Sequence, residues 1–131
     1  MAARLAPLAA ALATLIIFLP SIKGGFLNWD DAANLLQNDM YRGLDPARIK
    51  WMFTSFNLGP YTPLTWLTLA VDFSIWGMNP AGYHLTGVLL HCANAALFFA
   101  AARLILKAAS PGRAADAAAL CGSAAFAALL F

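Results

Sequence analysis

The sequence predicts an all-α membrane protein with three transmembrane helices and amphipathic juxtamembrane helices in the first loop. Composition is the first reason: of 131 residues, 62% are apolar and 11% charged, whereas a soluble domain runs about half apolar and about a quarter charged. Distribution is the second. The apolar residues gather into three runs, about 5–22, 83–106 and 114–131, each close to the roughly 20 residues a bilayer-crossing helix needs. The third is the change of character over residues 23–82, where Asn, Pro and Gly punctuate shorter apolar stretches. A globular soluble enzyme and a disordered chain are both excluded by these proportions. The net charge of +2 is spread thinly, so no clustered basic face points to nucleic acid as a partner.

The first run extends from Leu5 to Ile22 without a charge and follows Arg4. Its end, Leu19-Pro20-Ser21-Ile22-Lys23-Gly24-Gly25, offers no pair of small residues suited to signal-peptide cleavage, which favours a retained span. The second run, from Tyr83 to Leu106, closes around Arg103 and Lys107. The third starts near Ala114 and is still apolar at Phe131, with no cap or turn behind it. The expectation is therefore a single N-terminal membrane segment, 1–131, of a longer product. Cytoplasmic loops retain Lys and Arg, and Arg103, Lys107 and Arg113 crowd the short loop between the second and third runs. An integral membrane protein, of the bacterial inner membrane, is expected, with its N-terminus cytoplasmic and its long loop, about 23–82, periplasmic, or luminal if the cell is eukaryotic.

Within that loop, Asp45-Pro46 supplies an N-cap and a first-turn proline. Ile49, Met52, Phe53 and Phe56 follow at i, i+3, i+4 and i+7, which predicts a short helix lying on the membrane. Leu64 to Trp76 is a second apolar stretch, too short to span, with Thr65, Thr68 and Asp72 in one polar stripe. An interfacial helix is expected there, with Trp66 and Trp76 anchored at headgroup level and Asp72 solvated. Gly77 to Gly82, with Pro80, should break it before the second span.

The adjacent acids Asp30 and Asp31 sit just past the first span, behind Asn28 and Trp29. A carboxylate at a membrane surface can take a proton from an incoming hydroxyl if it lies within hydrogen-bond reach, and two together can hold a divalent cation. The pair also suits a plainer role, in which Asp30 caps a helix beginning near Ala32 and Asp31 favours its dipole. In the second run His84, Gly87, His91 and Asn94 share one helical face. The two histidines stand two turns apart, about 10 Å, too far to share a metal ion easily. A packing seam with Gly87 allowing close approach is the simpler reading, and His84, nearest the outer surface, is open to a substrate contact. Asp116 is three residues from Arg113, and simple pairing accounts for it. Cys92 and Cys121 sit in apolar runs and behave as small hydrophobes. No phosphate-cradling loop, zinc spacing or nucleophile elbow occurs, so no metal ligands are expected and no cofactor is required, although a divalent cation is not excluded.

From Phe26 to Phe131 the order is Asn28-Trp29-Asp30-Asp31, amphipathic loop helices, Pro63-Leu64-Thr65-Trp66-Leu67, Gly77-Met78-Asn79-Pro80-Ala81-Gly82-Tyr83-His84-Leu85, then a span. This resembles the start of multi-span membrane proteins with C-terminal tetratricopeptide repeats, whose eukaryotic members are protein O-mannosyltransferases. These are similar to the wider GT-C glycosyltransferase fold. The resemblance implies a partial GT-C fold and a transferase that moves a sugar from a polyprenyl-phosphate donor to an acceptor hydroxyl outside the cytoplasm. It implies catalytic roles for Asp30, activating the acceptor, and Asp31, orienting it; the candidate substrate contacts, read from the residues themselves, are Trp29 and Tyr61, as aromatics suited to a sugar ring, and His84. Partners would be the lipid-linked sugar donor, membrane lipids and an acceptor protein or glycan. Family members carry many more spans and a repeat domain that engages partners, so these residues alone are expected to be inactive. The alternative is a small accessory or structural membrane protein that packs through the His84-Gly87-His91-Asn94 seam.

Overall fold

The computed structural model describes residues 2–109 and 117–130, and for residues 2–4 and 117 the backbone alone. Within those limits every regular element is helical. They are α1 (Ala2–Phe18), a 3-10 turn (Leu19–Lys23), a π turn (Ala32–Leu36), α2 (Pro46–Thr54), α3 (Pro63–Trp76), α4 (Pro80–Ala108) and α5 (Ala117–Leu130). Pro20 has no N–H to donate, and the chain tightens into the 3-10 turn around it. α2 begins as its sequence predicts. The Asp45 side chain accepts from the backbone N–H groups of Ala47 and Arg48 at 3.1 and 3.2 Å, with Pro46 at the first helical position. α3 stops at Gly77, whose φ of +60° is open to glycine and strained for other residues, and whose N–H bonds the Phe73 carbonyl at 2.9 Å. Pro80 then opens α4, and the Asn79 side chain accepts from the N–H of Ala81.

Two helical stretches are long and apolar enough to cross a membrane, Leu5–Lys23 and Pro80–Ala108. Only 11% and 17% of their apolar windows are buried within the chain, which leaves most of their apolar surface uncovered by the described residues. The third expected span, 114–131, is helical over the 14 residues Ala117–Leu130. The rest of it lies outside the described residues, as do Arg113 and Asp116.

The chain divides into two compact units, with the boundary inside α4. In one (1–20 and 87–131), α1, α4 and α5 meet through small side chains, where Phe99 is buried against Ala10, Ala124 and Ala128. In the other (21–86), Tyr41, Met52, Trp66, Ala70, Tyr83 and Leu35 form a core backed by Trp51 and Phe73.

This second core corrects three expectations. Trp66 is not a headgroup anchor but 3% exposed, with its ring 5.3 Å from that of Trp51. Asp72 is not solvated: it is buried, and its carboxylate accepts from the Thr86 hydroxyl at 2.5 Å. Met52 of α2 is fully buried while Ile49 and Phe53 of α2, and Phe56 just past its end, remain exposed, so the predicted stripe is split between core and surface.

Candidate functional site

The first two loop acids do different things. Asp31 turns inward on its own loop, its Oδ2 accepting from the N–H of Leu27 at 2.8 Å. It stands at the start of the π turn but makes no capping bond. Asp30 is exposed, and its carboxylate has no hydrogen bond or ion pair among the described residues. Neither acid therefore acts as the predicted N-cap. The turn they precede is held at its other end, where the Gln37 N–H reaches back five residues to the Ala32 carbonyl at 2.9 Å. The Arg42 guanidinium donates to the Leu35 and Leu36 carbonyls at 2.7 and 2.8 Å. Single π turns are rare and recur at functional sites.

Both acids border a cleft of about 390 Å³, within the size range of small-ligand pockets. Asn34 and Leu35 of the π turn form one wall, and Thr65, Trp66 and Leu69 of α3 form another. The turn Asn57-Leu58-Gly59-Pro60 closes a third side. It is tethered across the cleft by an Asn57 to Asn34 side-chain bond of 3.2 Å. Leu58 is left-handed there, with φ +54°, a conformation costing a non-glycine residue about 1–2 kcal/mol. Trp66 has its indole N–H buried without an acceptor among the described residues. Among the described residues, no Lys, Arg or His lines the cleft.

The other candidate residues lie elsewhere. Trp29 is 82% exposed and outside the cleft wall. The Tyr61 hydroxyl donates to the Phe53 carbonyl at 3.0 Å, and its ring rests 5.3 Å from Phe56. His84 Nε2 pairs with the Gly25 carbonyl at 3.2 Å, and the His91 ring meets Phe18 edge to face at 4.8 Å. A Cβ placed on Gly87 would touch nothing within 4 Å among the described residues, and no close approach to it occurs among them. No cluster of three His, Cys, Asp or Glu side chains forms a metal site among the described residues.

The residues that sequence reasoning missed are Asn34, Asn57, Leu58 and Trp66. Trp66, Ala70 and Phe73 recur at i, i+4 and i+7, a stripe that marks the buried face of α3. No comparable sequence signal pairs Asn34 with Asn57.

No family model matches the chain, and no solved structure matches it. Its sequence is similar to the protein O-mannosyl-transferase Tmtc1 of Drosophila melanogaster, 33% identical over 99 residues. That match covers 70% of this chain and 11% of the Drosophila protein, so the chain spans about a tenth of the length of the curated relative it matches.

Proposed function

We propose that this chain forms the acceptor side of a membrane glycosyltransferase that moves a sugar from a polyprenyl-phosphate donor to a hydroxyl on the outer face of the membrane. The unengaged Asp30 carboxylate at the rim of the cleft carries the proposal. It is free to accept a proton from an acceptor hydroxyl as that oxygen attacks the sugar, while Asp31, tied to the Leu27 N–H, keeps the segment in place. A cleft bordered by two acids and no cations repels a phosphate and suits a neutral hydroxyl. The donor phosphate is accordingly assigned to groups outside this cleft. Similarity to an O-mannosyl-transferase supports the reaction class and makes mannose the first sugar to assay. The elements described here would form the opening part of a GT-C fold in the inner membrane, with the N-terminus cytoplasmic and the loop 23–82 periplasmic.

The test is transfer of radiolabelled mannose from its polyprenyl phosphate to an acceptor, using membranes that carry the full natural protein. Asp30→Asn should lower transfer about 10²–10⁴-fold, the usual contribution of a general base, with the protein still inserted at wild-type level. Asp31→Asn should lower both transfer and protein level. Undiminished transfer by inserted Asp30→Asn would remove the role assigned to Asp30.

A further inference from the structure

A second concave site lies in the other unit, and nothing in the proposed reaction uses it. We propose that the groove between α1 and the C-terminal half of α4 holds one anionic phospholipid. The groove has a volume of about 320 Å³ and is lined by Pro7, Phe99, Ala100, Arg103, Leu104 and Lys107. Its floor is Phe99, 1% exposed and locked into the alanine cluster. Leu104, 69% exposed, stands at its outer side.

Arg103 and Lys107 are four residues apart on one helix, hence on one face. Neither has an acidic partner among the described residues. The groove thus joins two cations, without an acidic partner among the described residues, to an apolar trough, and this charge complementarity selects its occupant. A free anion would gain nothing from Pro7, Ala100 and Leu104. A zwitterionic lipid would bring its own cation toward Arg103 and Lys107. An anionic lipid satisfies both parts, with its phosphate at the cations and part of an acyl chain along Phe99 and Leu104. Basic residues accumulate on the cytoplasmic side of spans, which faces the more anionic leaflet. The site rests on α4 being a membrane span and is independent of the catalytic role of Asp30.

Native mass spectrometry of the full chain in detergent, titrated with phosphatidylglycerol, phosphatidylcholine or inorganic phosphate, tests the assignment. One phosphatidylglycerol should be retained at least about tenfold more strongly than phosphatidylcholine, and millimolar inorganic phosphate should not displace it. Each surface cation contributes about fivefold to anionic-lipid affinity, so Arg103→Gln/Lys107→Gln should weaken retention about thirtyfold. The swap Arg103→Lys/Lys107→Arg should preserve it. Ala100→Phe, which fills the trough and leaves both cations, should also abolish it. Equal retention of the two lipids, or full retention by the double glutamine variant, would overturn the proposal. Displacement by phosphate would reduce the site to a bare anion contact, and retention by Ala100→Phe would reduce it to attraction by surface charge; either result overturns it as well.

Discussion

At the residue scale, one carboxylate, Asp72, was given the wrong surroundings by its spacing, while a second, Asp45, sits where its spacing predicts. Asp72 belongs to a stripe with Thr65 and Thr68 that resembles a solvated face, yet Thr86 from the next helix covers it. Burial holds the Asp72 carboxyl above its ordinary value, and the Thr86 hydrogen bond offsets part of that rise. The folded protein therefore binds this proton more tightly than the unfolded chain does. Stability from this group is greatest below the ordinary carboxylate pKa and falls as pH rises through the folded-state value. Asp72→Asn, which still offers an acceptor to Thr86, should flatten the decline of the melting temperature as pH rises above the ordinary carboxylate range. An unchanged slope in a detergent melt would disprove the assignment. Thr86→Val leaves the buried carboxyl without its donor and should cost about 1–3 kcal/mol. Asp45 behaves oppositely. The Arg48 side chain, with the Arg48 backbone N–H behind it, holds its carboxyl below the usual range, so its support for α2 is present above the unfolded value and lost as pH falls through the folded one.

At the element scale, the corner between α3 and α4 depends on one glycine and not on another. A Cβ on Gly82 would lie 2.1 Å from Cγ of the Trp76 ring. Gly87, five residues on, faces open space. Gly82→Ala should therefore destabilise the protein by about 1–3 kcal/mol through overpacking. Gly87→Ala should stabilise it by about 0.5–1 kcal/mol by removing backbone freedom from a helix interior. Thermal melts of the two variants in one detergent give the comparison, and equal shifts would contradict the packing of Trp76 on α4. Helix limits were legible because their signals are local. Asp45-Pro46 and Gly77 act on the backbone within a few residues and mark real boundaries, whereas α3 starts at Pro63, one residue before the expected Leu64, and α4 at Pro80, three before the expected Tyr83. The buried face of α3 was less legible, since a short helix carrying both a Thr-Thr-Asp stripe and a Trp-Ala-Phe stripe can be turned either way by its neighbours.

At the scale of the whole molecule, α4 is 29 residues long, about 43 Å at the helical rise, enough to cross a hydrocarbon core of about 30 Å. The segments before and after it should then face opposite sides of the membrane, with the basic end inside. In a Cys92→Ala/Cys121→Ala background, a cysteine at Asn57 should react with a membrane-impermeant maleimide in intact cells, and one at Ala109 should react only after permeabilisation. The reverse pattern would place Asp30 and Asp31 in the cytoplasm and end the outer-face reading. The sequence by itself determined the helical class, the two long apolar helices and the helix boundaries in the loop, because hydropathy and capping depend on residues close together in the chain. Tertiary structure decided which residues share the cleft. The Asn34–Asn57 tether, the burial of Trp66 and the different surroundings of Asp30 and Asp31 depend on contacts among separate segments or on one loop's path, which local periodicity does not encode.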